Sequence, residues 1–162
     1  YTYVRNVGKE ANMKQITVYS LEDTARLGLK VAEMIKPGML LTLSGDLGAG
    51  KTTFTKYLGK GLGVKKTINS PTFTILKIYQ GSKMPMYHMD AYRLEGISQD
   101  LGFEEYFEDD GLCVIEWPHF IENQLPNERL DIVITREAGE EEQRSFTFTP
   151  IGRKYKEIVE AL

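Results

Sequence analysis

The chain has 162 residues, 41% of them hydrophobic, which is the length of one domain and a composition able to bury one sizeable core. A formal charge of -3 at pH 7 excludes a broad basic face for gripping RNA or DNA, because neutralising phosphates takes clustered Lys and Arg; any nucleic acid is expected to be carried by a partner. The lone Cys113 excludes an internal disulfide and, inside the apolar run LCVI, reads as a buried structural thiol rather than a nucleophile.

Residues 1–12, YTYVRNVGKEAN, lack core periodicity and precede Met13, which reads as a natural start behind an appended leader; the fold is expected in residues 13–162 as a single domain. QITVY (15–19) alternates like a short strand. Ser20 followed by Asp23 has the form of a capping box, and Leu21, Thr24, Ala25, Gly28, Val31, Ala32 and Ile35 recur at helical spacing until KPG (36–38) stops the helix. MLLTLS (39–44) is a nearly all-apolar run of strand length, as expected of a strand buried on both faces of an α/β sheet. A glycine-rich stretch follows it directly, and from Thr52 to about Leu62 the pattern is helical again.

TFTILKIY (72–79) and PMYHMD (85–90) predict a hairpin around QGSK, and ISQDLGFEEYFEDD (97–110) predicts a short acidic surface helix. LCVIE (112–116) predicts another buried strand. LDIVITR (130–136) and SFTFTP (145–150) flank the acidic turn EAGEEEQ, and GRKYKEIVEAL closes the chain as a helix. Together these elements predict an α/β fold, a three-layer P-loop nucleotide-binding domain with a mixed, partly parallel central sheet. No apolar run nears the roughly 20 residues that span a bilayer and no signal-peptide pattern is present, so the cytoplasm is the expected compartment.

Gly45, Gly50, Lys51 and Thr52 match G-x-x-x-x-G-K-[ST]. The glycines let successive backbone N–H groups turn inward around phosphate oxygens, and the helix that follows aims its positive end at the same place. Lys51 is expected to reach the β- and γ-phosphates and the Thr52 hydroxyl to ligate Mg2+. Such a site also needs a carboxylate at the end of a neighbouring strand, and Asp90 and Glu116 both qualify. Glu116 ends the more apolar run, which favours it for the metal, directly or through water, and leaves Asp90 to orient or activate water. Either could instead be a surface acid at a strand end. His88 and His119 lack metal-ligand spacing and read as structural.

In their order and spacing, GDLGAGKTTFTK, SPTFT (70–74), YHMDAYRL (87–94) and IEW (115–117) resemble the TsaE (YjeE) family, small ATPases of the bacterial machinery that makes threonylcarbamoyladenosine on tRNA. The likeness runs from about Ser20 to Pro126. It implies Gly48, Ala49, Gly50, Lys51, Thr52 and Thr53 around the phosphates, Thr52 and Glu116 at Mg2+, Lys51, Asp90 and Glu116 as the catalytic set, and Leu21 near the adenine. It also implies that Ser70, Pro71 and Thr72 belong to a nucleotide-dependent switch loop and that Trp117 is functional. ATP and Mg2+ are the implied cofactors, proteins of the TsaB and TsaD type the implied partners, and tRNA is expected to be reached through them.

Local chemistry is compatible with a switch at SPTFT, since Pro71 pins an extended bend and Thr72 and Thr74 offer hydroxyls; a plain turn before a strand fits the same residues. Trp117 has three readings: a reporter of nucleotide state, a partner-docking residue or a rim aromatic. A small-molecule kinase is disfavoured because the arginines are scattered and no lid-sized insertion interrupts the elements. A GTPase is disfavoured by the lack of an N-K-x-D string, and an idle nucleotide-binding adaptor is separated from an ATPase only by assay.

Overall fold

A computed structural model describes residues 2–7, 12–46, 48–69, 71, 75–94 and 102–162. The described strands are β1 (Thr2–Val7), β2 (Met13–Val18), β3 (Leu40–Ser44), β4 (Leu76–Tyr79), β5 (Met86–Asp90), β6 (Leu112–Glu116), β7 (Arg129–Arg136) and β8 (Arg144–Ile151). The α-helices are α1 (Leu21–Met34), α2 (Lys51–Gly61), α3 (Glu104–Phe107) and α4 (Arg153–Ala161). One sheet joins the strands in the order β1-β2-β8-β7-β3-β6-β5-β4. Its centre, β7-β3-β6-β5, is parallel, and antiparallel strands extend it on both sides. The mixed, partly parallel sheet is thus the expected one.

Alternation along the central strands explains why they read as unbroken apolar runs. Leu41, Leu43, Leu112 and Val114 join one core with Val31, Phe54 and Leu58 of α1 and α2. Leu40, Cys113 and Ile115, with Tyr87 and Met89 of β5, join a second core on the other face, with Phe103 and Ile121. Strands buried on both faces have no polar side to alternate. In β7 only Leu130, Ile132 and Ile134 are buried, and Asp131, Val133 and Thr135 are not, so the period of two reappears where one face is open.

The helix start at Ser20 forms as expected, with a variation: the Asp23 N–H donates to Ser20 Oγ at 3.1 Å, and the Asp23 carboxylate accepts from the Tyr19 N–H at 3.0 Å instead of from the N-cap amide. α4 is pinned to the sheet by Tyr155, whose hydroxyl accepts the Leu40 N–H at 2.9 Å. Cys113 is buried, and burial pushes its thiol up to about 12, in keeping with a structural role.

Two expectations change. Thr2–Val7, set aside with the leader, pairs antiparallel with β2 from Thr2 against Val18 to Val7 against Met13, so this segment forms the sheet's edge strand. Periodicity was no guide because Thr2 to Arg5 are all exposed: the strand is held by its backbone pairing. The acidic helix expected over 97–110 is described only as Glu104–Phe107, one turn; positions 97–101 lie outside the described residues. Among the described residues, no helix is long and apolar enough to cross a membrane.

Candidate nucleotide-binding site

β3, β5 and β6 run parallel and end at one edge of the sheet, which places the loop after Ser44, Asp90 and Glu116 side by side. Glu116 pairs in register with Leu43 of β3 on one side and with Asp90 of β5 on the other. The edge at the carboxyl ends of parallel strands is where α/β sheets bind ligands.

The loop's glycines meet two different demands. At Gly45 a Cβ would stand 2.4 Å from the Ile134 carbonyl oxygen, so the chain can pass β7 only without a side chain. Gly50 has open space around it but takes φ 110°, the left-handed region that favours glycine, at the start of α2. The Ala49 N–H closes the loop on the Asp46 carbonyl at 3.0 Å.

Lys51 is the first residue of α2 and only 6% exposed. Its ammonium donates to the Gly45 carbonyl and, at 3.3 Å, to that of Asp46, and lies 4.5 Å from the centre of the Trp117 ring. Burial lowers its pKa, and the nearby charges of Glu116, Asp90 and Asp46 act in the opposite direction. Trp117 is half-buried, takes the left-handed conformation φ 58°, ψ 52°, and packs its ring 5.1 Å from that of Tyr92. Its backbone N–H donates to the Leu43 carbonyl at 3.2 Å, tying the end of β6 to the strand that precedes the glycine-rich loop.

Both carboxylates are buried, Glu116 at 3% exposure and Asp90 at 5%. Asp90 Oδ1 accepts the Tyr92 N–H at 2.9 Å, and the Asp90 N–H donates to the Ile75 carbonyl at 2.7 Å. Glu116 Oε2 lies 2.6 Å from Nε2 of His88, a fully buried histidine on β5. His88 is therefore structural in a particular sense: it touches the carboxylate expected at the metal. The spacing His88-x-Asp90 on one strand was the available signal, since residues two apart share a face.

Two cavities meet at the loop and share Gly48, Ala49, Gly50 and Thr53. The end expected to hold the phosphates, about 380 Å3, adds Asp46, Lys51, Thr52, Asp90, Glu116 and Trp117. The other end, about 290 Å3, includes Leu21, Thr24, Arg136, Glu141, Glu142 and Arg144. The structure thus brings every expected phosphate, metal and catalytic residue to one cleft, with Leu21 at its far end. Of the expected switch residues, Pro71 is described and buried; Ser70, Thr72 and Thr74 lie outside the described residues.

Apart from Leu21, the far end was missed in the sequence. Arg144 closes it: Nε donates to the Ala49 carbonyl at 3.1 Å, and Nη1 to the carbonyls of Glu141 and Gln143 at 2.7 and 2.9 Å. The acidic turn between β7 and β8 consequently borders the cleft. Arginines and acids at a hairpin's end carry no motif, and only the sheet order brings them beside the loop.

The donor set is one hydroxyl, Thr52, and carboxylates on adjoining strands. Among the described residues no group of three or more His, Cys, Asp or Glu could by itself hold a metal. Few hard oxygen donors beside a phosphate loop suit Mg2+, which keeps waters and takes phosphate oxygens as further ligands, and do not suit an all-protein zinc site. The residues present fit the expected ion.

A family model described as threonylcarbamoyl adenosine biosynthesis protein TsaE matches residues 18–146. The tRNA threonylcarbamoyladenosine biosynthesis protein TsaE of Bacillus subtilis (strain 168) is 54% identical over 141 residues, 87% of this chain and 88% of that protein. Its counterpart of the same name in Treponema pallidum (strain Nichols) is 44% identical over 109 residues, 66% of this chain and 80% of the relative. The crystal structure of Bacillus subtilis YdiB superposes with a TM-score of 0.81 at 42% identity, covering 95% of this chain and 96% of that one. With most of its length matched by the family model and by close relatives, and with the same fold as a solved one, the chain belongs to the TsaE family of tRNA threonylcarbamoyladenosine biosynthesis proteins.

Proposed function

We propose that the protein is a Mg2+-dependent ATPase that works as a nucleotide switch in tRNA threonylcarbamoyladenosine synthesis, resetting a partner complex through ATP hydrolysis rather than carrying out the modification. The observation that carries this reading is the convergence of Lys51, Thr52, Glu116 and Asp90 on one cavity at the carboxyl ends of parallel strands.

The triphosphate lies in the loop of Gly48 to Thr53, and the adenine lies toward Leu21. Lys51 carries the positive charge for the β- and γ-phosphates, trading its contacts with the Gly45 and Asp46 carbonyls for phosphate oxygens. Thr52 and Glu116 would hold Mg2+, which when bound neutralises charge on the phosphate oxygens. Asp90, two strands from β3, is free of that task; its carboxylate orients the attacking water or accepts its proton.

Trp117 connects this chemistry to the surface. Movement of the Lys51 ammonium off its ring changes the indole's surroundings, so its emission reports ATP binding. The partners on this reading are proteins of the TsaB and TsaD type, with tRNA engaged through them, in line with the chain's net negative charge.

Phosphate release measured with Mg2+ or with EDTA, alone and with the candidate partners, tests the reading. The expected result is Mg2+-dependent release of phosphate from ATP, stimulated by the partners; ATP binding with no release under any condition would support an adaptor instead.

A further inference from the structure

We propose that His88 is the positioning residue for the Glu116 carboxylate, holding it in the orientation in which it receives the metal. The inference rests on the reading of Glu116 as the Mg2+ carboxylate. His88 Nε2 lies 2.6 Å from Glu116 Oε2, with the two side chains 0% and 4% exposed. Glutamate has three side-chain torsions, and one at the end of a strand is free to swing; a donor anchored within β5 removes that freedom from one oxygen and leaves the other for a ligand.

The hydrogen-bonding pattern separates this role from space filling. His88 Nδ1 is buried and has no hydrogen-bond partner among the described residues. An ionised carboxylate only accepts, so the hydrogen bond between Nε2 and Glu116 has the ring donating and the carboxylate accepting. A side chain present only to fill the core needs no polar atom, and a buried imidazole is costly unless its bond matters. Here its one bond goes to the proposed metal ligand.

The register of the sheet fixes the pair. Asp90 stands opposite Glu116 and His88 opposite Val114, so His88 reaches Glu116 along the diagonal between two parallel strands, from the same face that carries Asp90. One strand therefore supplies both the group that sets the metal carboxylate and the group proposed to handle water.

The test uses Mn2+ as a paramagnetic substitute for Mg2+ and ADP as the nucleotide. Mn2+ affinity of the protein–ADP complex is read by electron paramagnetic resonance, and ADP affinity in EDTA by calorimetry. His88→Leu keeps volume without a donor; His88→Gln places an amide N–H near the position of Nε2. The expected result is a loss of about ten- to a hundredfold in Mn2+ affinity for His88→Leu, with ADP affinity in EDTA within about twofold of the parent and most of the loss recovered in His88→Gln. Should His88→Leu fail to fold, His88→Asn takes its place, because its shorter amide falls short of Glu116 and the same loss is expected. Mn2+ affinity within about twofold of the parent in a folded Leu or Asn variant, equal losses in the Gln and Leu variants, or an equal loss of ADP affinity in EDTA would each overturn the role. A parent complex that binds no Mn2+ would overturn the metal reading of Glu116 itself, and this inference with it.

Discussion

At the phosphate end of the cleft, Lys51, Thr52, Glu116 and Asp90 sit on a closed loop, the first turn of a helix and the last residues of two parallel strands. At the far end, Leu21 comes from the first turn of α1, 62% exposed, and Arg136, Glu141, Glu142 and Arg144 from the end of an antiparallel hairpin. Lys51, Asp90 and Glu116 are buried, whereas Leu21, Arg136, Glu141 and Glu142 are exposed and Arg144 is half-buried, its guanidinium reaching across to the Ala49 carbonyl. On the proposed reading, the charges that must be held most closely are the buried ones, and contacts that tolerate adjustment are the exposed ones.

The contrast is sharpest at Lys51. Lys51→Ala is expected to abolish tight ATP binding, a loss of about a hundredfold or more by calorimetry, because it removes the side-chain cation the loop places at the β- and γ-phosphates. Tripolyphosphate binding is expected to fall equally, since on the proposed reading this end holds the phosphates and not the base. Glu116→Ala and Thr52→Ala should each cost about tenfold or more in nucleotide affinity with Mg2+ present and much less in EDTA. Equal losses in both conditions would take these residues away from the metal.

Arg144→Ala belongs to the other end. It frees the Ala49 carbonyl and loosens the turn that borders the Leu21 cavity, so ATP affinity is expected to fall about three- to tenfold, less than the loss of a whole charge-assisted hydrogen bond because the contact shapes the cavity, with tripolyphosphate affinity unchanged. A parallel loss for tripolyphosphate would show that the two ends are not separable. The smallest binding effect is expected at Trp117, which lies outside both buried cores and is half-exposed. Trp117→Ala should leave the melting temperature and ATP affinity nearly as they are while lowering partner-stimulated turnover, and Trp117→Phe should be milder. A sharp fall in melting temperature for Trp117→Ala would make the residue part of the core.

The same contrast explains how far the sequence could be read. Gly45, Gly50, Lys51 and Thr52 are neighbours in the chain, and buried strands announce themselves as apolar runs, so the loop, its strand and both carboxylates were legible before any coordinates. Arg144 and Glu141 became cleft residues only because β8 pairs with β7 and β7 with β3, a long-range arrangement that no local pattern encodes. β1 went unseen because its exposed residues bury no apolar stripe and it is held by backbone hydrogen bonds to β2. His88 was visible as a histidine two residues before Asp90, but its contact with Glu116 depends on the parallel register of β5 and β6.

The central claim is that this cleft hydrolyses ATP and does not merely hold it, and Asp90→Asn tests it most directly, because the change keeps shape and removes the charge that orients or deprotonates water. With the parent and the variant in the complete partner complex, ATP affinity and phosphate release are measured side by side. Affinity within about threefold of the parent is expected, with release lower by tens to thousands of fold, the range for a water-positioning or general-base group. Release at the parental rate from the Asp90→Asn complex would contradict the central claim.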